Sequence, residues 1–281
     1  MIKRPVSSIV NIPKIQPHGG FAPPKEMEEV LLDDDPRDRY EWLVDTTCKM
    51  GSLSPQIRGL VFDYLLRVEL AIMAGAAVDD AVLNAFQVSF MGANIAGRFD
   101  EAEKLAIKLV ELYKKQKRDR QRIAQVASEL VIYDAVFRGA FYNPNAEVPK
   151  VNKDDKNALD LMLMAAECYL LEKEKIVSLG FSFRATGAEN VCQSDGDLLT
   201  EDSIIEIKCS AKKPTSKHTL QLLLYYILGM HEYPNEFKTI KFIKVLNPRL
   251  GRVYSYEIQK VGIDNLKHIE QKIMGYKKSV F

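Results

Sequence analysis

Three charged residues lie close together in the sequence. Asp197 ends one apolar run, and Glu206 and Lys208 lie in the next. Alternate residues of a strand share a face, so Glu206 and Lys208 should point the same way. A hairpin across the short polar turn between the runs would bring Asp197 beside Glu206. Two carboxylates and one ammonium on a sheet face could bind a hard divalent cation and stabilise a charged transition state.

Two alternatives to this interpretation stay open. Asp195 competes with Asp197, because both could face the same side of a strand. The whole set could also be a cross-strand ion pair on an exposed face, which contributes only about 0–1 kcal/mol. Against that alternative, Ile204, Ile205 and Ile207 predict a central strand, where a free charge is costly.

The stretch resembles the PD-(D/E)XK nuclease superfamily, whose signature is an Asp, a short gap and then Glu-x-Lys. Gln221 and Tyr225, at the start of a predicted helix, resemble the Gln-x-x-x-Tyr element of its RecB-like and lambda-exonuclease-like branch. The resemblance covers roughly residues 158–260. It implies a metal-dependent nuclease that hydrolyses phosphodiester bonds, in DNA rather than RNA. The alternative is a catalytically weak module on a nuclease-like scaffold that binds nucleic acid or protein.

The resemblance also implies a metal site for Mg²⁺ or Mn²⁺. Asp197 and Glu206 would be its ligands, and the carbonyl of Ile207 would be a further one. Glu167, on the helix before the sheet, is the candidate for an upstream acidic ligand. The alternative for Glu167 is a boundary glutamate that faces solvent.

The remaining candidate roles concern catalysis and substrate binding. Lys208 would orient or polarise the attacking water, or neutralise charge on the phosphate. Gln221 and Tyr225 would position this lysine or a phosphate. The alternative is that both are helix-surface residues. Substrate binding is expected of three residues that follow the strand, namely Lys212, Lys217 and His218.

Hydrophobic periodicity predicts helices in the first half of the chain and a sheet in the second. The expected helices are 37–49, 54–74, 78–96, 99–117, 119–140, 157–174, 216–230 and 262–275. The expected strands are 176–183, 189–199, 203–209, 240–246 and 252–258, with Asp195-Gly196 and Gly187 marking turns or bulges. The fold class is therefore α+β, with a restriction-endonuclease-like αβββαβ core implied by the resemblance and an N-terminal all-helical region.

Three regions are expected. Residues 1–35 are rich in proline and predict an extended arm without regular helix, residues 36–150 a helical region, and residues 151–281 the nuclease-like domain. The apolar pairs of the arm could dock onto the body, or the arm could be mobile until a partner orders it. The helical region could serve a protein partner or homo-oligomer. Its basic cluster at 114–122 predicts either phosphate contacts or a solvated turn between helices.

Composition limits the class of protein. The 281 residues are 47% hydrophobic, and no apolar run is long enough to span a bilayer, so a cytoplasmic protein without a membrane partner is expected. Four scattered cysteines predict reduced thiols rather than disulfides or zinc ligands. The net charge is only +1, but residues 203–281 carry +8 and residues 1–202 carry −7. This asymmetry favours a polyanionic substrate for the second half.

Overall fold

The computed structural model describes residues 3–32, 51–115, 119–143 and 147–281, and its fold is mixed α and β. The chain divides into two compact units. The helical unit comprises Asp35–Glu167 with Cys209–Ala211, and the sheet unit comprises Met1–Asp34, Cys168–Lys208 and Lys212–Phe281. The expected helix over 37–49 and residues 116–118 of the basic cluster lie outside the described residues.

The helical unit follows the predicted pattern closely. The first helix of the chain, α1 (Val6–Ile9), belongs to the sheet unit. The helices of the helical unit are α2 (Pro55–Met73), α3 (Val78–Ala85), α4 (Gln87–Ile95), α5 (Phe99–Lys114), α6 (Arg120–Leu130) and α7 (Ile132–Phe137). Helix α8 (Lys153–Lys173) begins in this unit and ends in the other. The single helix expected over 78–96 is interrupted at Phe86, which is fully buried with its ring centroid 5.0 Å from that of Tyr64. Tertiary packing there overrides helical periodicity.

A glycine lets two of these helices meet closely. A Cβ at Gly92 on α4 would lie 1.9 Å from the carbonyl oxygen of Tyr133 on α7. No other residue fits this approach, because every other side chain begins with that atom.

The sheet unit is built on six strands. They are β1 (Glu28–Leu31), β2 (Ile176–Phe183), β3 (Ser194–Thr200), β4 (Ser203–Ile207), β5 (Phe242–Asn247) and β6 (Arg252–Glu257). Their order is β1-β6-β5-β4-β3-β2, and every neighbouring pair is antiparallel except β4 and β5. Helix α9 (Ser216–Glu232) makes the crossover that a parallel pair requires. Its leucines, from Leu220 to Leu228, are buried in the core with the strand side chains on that face.

The unit ends with helical turns. Helix α10 (Pro234–Phe237) follows α9, and after β6 come a 3-10 turn (Ile258–Val261), α11 (Ile263–His268) and a π-helical turn (Ile269–Met274). Within the described residues, no helix is both long and apolar enough to cross a membrane.

The N-terminal segment differs from the expected arm. Residues 3–32 include the one-turn helix α1 (Val6–Ile9), a 3-10 turn (Pro24–Glu26) and the edge strand β1, all within the sheet unit. Pro5 does not prevent α1, because it precedes the first turn, where a missing N–H breaks no helical bond.

Strand β3 begins at Ser194 rather than near 189, and Gly196 lies inside it rather than at a turn. Gly196 pairs with Phe181 of β2, and a Cβ on the glycine would lie 2.1 Å from Cζ of that ring. The absence of a side chain at Gly196 therefore leaves room for the aromatic ring of the neighbouring strand.

Candidate active site

The pairing of β3 with β4 places Asp197 beside Glu206. The register joins Leu198 to Ile205 and Leu199 to Ile204, so one further step brings Asp197 opposite Glu206. Directly opposite residues project from the same face of a sheet. The carboxylate of Asp197 also accepts a hydrogen bond of 2.7 Å at Oδ2 from the backbone N–H of Ile207.

Glu206 is a buried carboxylate on a central strand. Strand β4 lies between β3 and β5, and Glu206 is only 4% exposed. The ammonium of Lys208 donates to its Oε1 over 2.5 Å, while the Lys208 N–H donates to the carbonyl of Leu246. This burial contradicts the alternative of an ion pair on an exposed face. The pair gains little stability, because the desolvation of the Glu206 carboxylate offsets its attraction to the ammonium.

Helix α9 completes the site with Gln221 and Tyr225, which are 8% and 3% exposed. The Gln221 amide donates from Nε2 to Glu206 Oε1 and to the Tyr225 hydroxyl, both over 2.9 Å. Burial, followed by the nearby Glu206 carboxylate, raises the pKa of Tyr225 well above its usual 10.0, so the phenol keeps its proton.

Two further residues support the site and were missed by the sequence analysis. The ring of Phe181 packs edge-on against Tyr225 with centroids 5.9 Å apart. Asn247, 1% exposed at the end of β5, donates from Nδ2 to the carbonyl of Lys212 and so holds the loop after β4. The Asn247-Pro248 pair, a turn signal, could have indicated the second residue, but nothing in the sequence pairs Phe181 with Tyr225.

The expected substrate-binding residues lie around the start of α9. Lys212 and Lys217 are exposed, and Lys217 Nζ donates to Asn11 Oδ1 over 2.9 Å. The backbone N–H of Thr215 donates to His218 Nδ1 over 3.2 Å, so Nδ1 carries no proton and the ring proton is on Nε2. Burial, with the charges of Lys208 and Lys217, lowers the pKa of His218 from 6.5 to about 4.

Two candidate acids remain, Asp195 on β3 and Glu167 on α8. Asp195 is on the same face of its strand as Asp197, and its charge contributes to the raised pKa of Tyr225. Asp195 is exposed on β3, where it pairs with Ser182. Glu167 is half-buried on α8 and belongs to the helical unit, whereas the residues described above all belong to the sheet unit.

The donor set is suited to a hard cation. Mg²⁺ is commonly held by one or two carboxylates and keeps several waters, and Asp197 and Glu206 supply two carboxylates on one face. The part of the chain that the structure describes contains no group of three or more His, Cys, Asp or Glu side chains placed to hold a metal.

Comparison with known proteins gave no relative. No family model, no curated protein and no solved structure matches this chain.

Proposed function

We propose that the sheet unit is a metal-dependent nuclease of the PD-(D/E)XK type, acting on DNA. The observation that carries this proposal is the joining of Asp197, Glu206 and Lys208 with Gln221 on one face of a central strand pair. The order of elements around it, α8-β2-β3-β4-α9-β5, supports the αβββαβ core of that superfamily.

The environment of Glu206 favours a functional site over a structural one. Glu206, 4% exposed on a central strand, is costly to desolvate, and replacing a buried ion pair by apolar residues is often neutral or stabilising. Such an arrangement is expected where the charges take part in binding or catalysis. Groups with strongly shifted pKa values, such as Tyr225, cluster at functional sites.

Each side chain has a role that its geometry supports. Asp197 and Glu206, with the carbonyl of Ile207, would hold Mg²⁺ or Mn²⁺, which supplies charge neutralisation at phosphate oxygens and activation of water. Lys208, partly exposed beside Glu206, presents an ammonium to the substrate's phosphate or to the attacking water. Gln221 fixes the Glu206 carboxylate by donating to Oε1.

The neutral phenol of Tyr225 and the neutral imidazole of His218 add hydrogen-bonding capacity without adding charge. The phenol accepts from Gln221 and thereby limits the rotation of that amide. The proton on His218 Nε2 makes the imidazole a donor for a phosphate oxygen.

Hydrolysis of labelled oligonucleotides tests the proposal. Single-stranded DNA, duplex DNA and RNA are incubated with Mg²⁺, with Mn²⁺ and with EDTA. We expect DNA to be cut only with a divalent metal, and Lys208→Ala and Glu206→Gln to lose activity by a factor of about 10² or more. Full activity in both variants would overturn the assignment.

A second buried ion pair provides the matched control. Lys244 Nζ donates to Glu174 Oε1 over 2.5 Å, the same distance as between Lys208 and Glu206. Lys244→Ala should therefore reduce stability while leaving cleavage per folded molecule unchanged. If the wild type binds nucleic acid but never cuts it, and calorimetry detects no Mn²⁺ binding at millimolar metal, the chain is a binding module on this scaffold.

A further inference from the structure

The first part of the N-terminal segment, residues 3–25, carries only positive charges. It has no acidic residue, and its four basic residues are Lys3, Arg4, Lys14 and Lys25. All four are exposed, and none forms an ion pair with any residue that the structure describes. By contrast, Lys213, elsewhere in the sheet unit, pairs with Glu29 over 2.7 Å.

The start of this segment lies against the strand that carries Asp197. The Arg4 N–H donates to the carbonyl of Asn190, and the Cys192 N–H donates to the carbonyl of Arg4. Two residues later, the Val6 N–H donates to Ser194 Oγ over 3.1 Å. Ser194 precedes Asp197 by three residues, which is roughly 10 Å along a strand.

The middle of the segment lies against the first turn of α9. Asn11 accepts from Lys217, and a Cβ at Gly20 would lie 2.7 Å from the Cβ of Ser216. Lys14 lies in the exposed loop between these two contacts. The same helical turn carries His218, a candidate substrate ligand.

We propose that Lys3, Arg4 and Lys14 bind the phosphate backbone of the polynucleotide whose cleavage is proposed above, on which this inference rests. They are exposed on a segment that contacts the start of β3 and the first turn of α9, the two elements that carry Asp197 and His218. Exposed cations without protein partners gain most from phosphate, because binding releases the counterions condensed on the nucleic acid.

Binding measured without hydrolysis tests the inference. The probes are a fluorescein-labelled 20-nucleotide single strand and the corresponding duplex, titrated in EDTA at several salt concentrations. For the triple variant Lys3→Ala, Arg4→Ala, Lys14→Ala we expect affinity on the order of ten- to a hundredfold weaker at low salt, and a log–log salt slope smaller by roughly 2–3. Alanine retains the Cβ at Lys14, whose φ is +58°, so backbone strain there is unchanged.

The matched control removes three exposed charges elsewhere in the sheet unit. Lys173, Lys238 and Lys241 are exposed, and all three line a cavity beside the turn between β3 and β4. Their triple alanine variant should bind like the wild type.

Equal affinity and salt slope in the two triple variants would overturn the inference, as would a wild type that binds neither probe. If the wild type cleaves DNA and both variants bind equally well, only the inference about Lys3, Arg4 and Lys14 is contradicted, and the proposed nuclease activity stands. Weakened binding in the first variant without metal-dependent cleavage by the wild type would remove only the proposed nuclease activity.

Discussion

Gln221 is the side chain through which α9 controls the orientation of Glu206. Its amide contributes one hydrogen to Glu206 and the other to Tyr225. Residues that orient a metal-binding carboxylate typically change metal affinity or activity by 10- to 100-fold when they are mutated. We therefore expect Gln221→Met, which keeps the length but removes the donors, to lower cleavage and Mn²⁺ affinity by about that factor.

Tyr225→Phe is the control for this prediction. It removes only the hydroxyl acceptor and keeps both the bond from Gln221 to Glu206 and the ring packing on Phe181. We expect it to cost less than tenfold in activity and about 1 kcal/mol of stability. A Gln221→Met protein with wild-type Mn²⁺ affinity by calorimetry would show that Glu206 needs no support from the helix.

His218 should give a measurable pH dependence of stability. Its pKa is about 4 in the folded protein and ordinarily 6.5, so between these values the unfolded chain binds more protons. Its contribution to stability is therefore complete above pH 6.5 and is lost as the pH falls towards 4. Urea unfolding from pH 7.5 to 4.5 should show a flatter decline for His218→Gln than for the wild type.

An NMR titration of the four histidine rings gives the independent measurement, with the His218 signal assigned by its absence from that variant. A midpoint near 6.5 would contradict the low pKa.

At the scale of elements, the packing of β3 against β2 depends on Gly196. An added Cβ would meet the Phe181 ring, which packs against Tyr225. Gly196→Ala should displace that ring and lower the free energy of unfolding by about 1–3 kcal/mol. The double variant Gly196→Ala, Phe181→Ala should recover part of this loss in a double-mutant cycle, and purely additive effects would contradict the proposed contact.

The same glycine shows what the sequence could and could not predict. Apolar runs and their spacing identified β4, β5, β6 and α9 within two residues, because each buries one face in a regular pattern. The local rule that glycine marks a turn or bulge failed at Gly196, because the glycine is required by Phe181 on the neighbouring strand. The helix interruptions at Phe86 and Val131 were not predicted for the same reason, because tertiary packing rather than local sequence determines them.

The site was predicted where its residues are close in sequence. Glu206 and Lys208 share a face by alternation, and Asp197 follows from the hairpin register. Phe181 and Asn247 support the site from strands with no local signal to link them to it. Docking of the N-terminal arm was one of two alternatives, but its helix α1 and strand β1 were missed, because prolines exclude long helices and not a single turn or an edge strand.

For the whole molecule, the N-terminal segment is part of the sheet unit and not an appendage. It buries Val6, Ile9, Phe21, Ala22 and Met27 in that unit's core, and its strand β1 pairs with β6. Burying each of the four larger side chains contributes about 1.5–3 kcal/mol. Their sum is comparable to the stability of an ordinary domain, about 5–15 kcal/mol.

Deletion of residues 2–32 should therefore abolish the cooperative unfolding of the sheet unit. Calorimetry would show its transition lost, and near-ultraviolet circular dichroism would show its aromatic signal weakened. Ile9→Ala alone should cost about 2–5 kcal/mol. The triple variant that removes the basic side chains should stay within about 0.5 kcal/mol of the wild type, because those side chains are exposed. If the truncated protein instead unfolds as cooperatively as the full chain, the segment contributes charge alone, and its buried residues do not stabilise the unit.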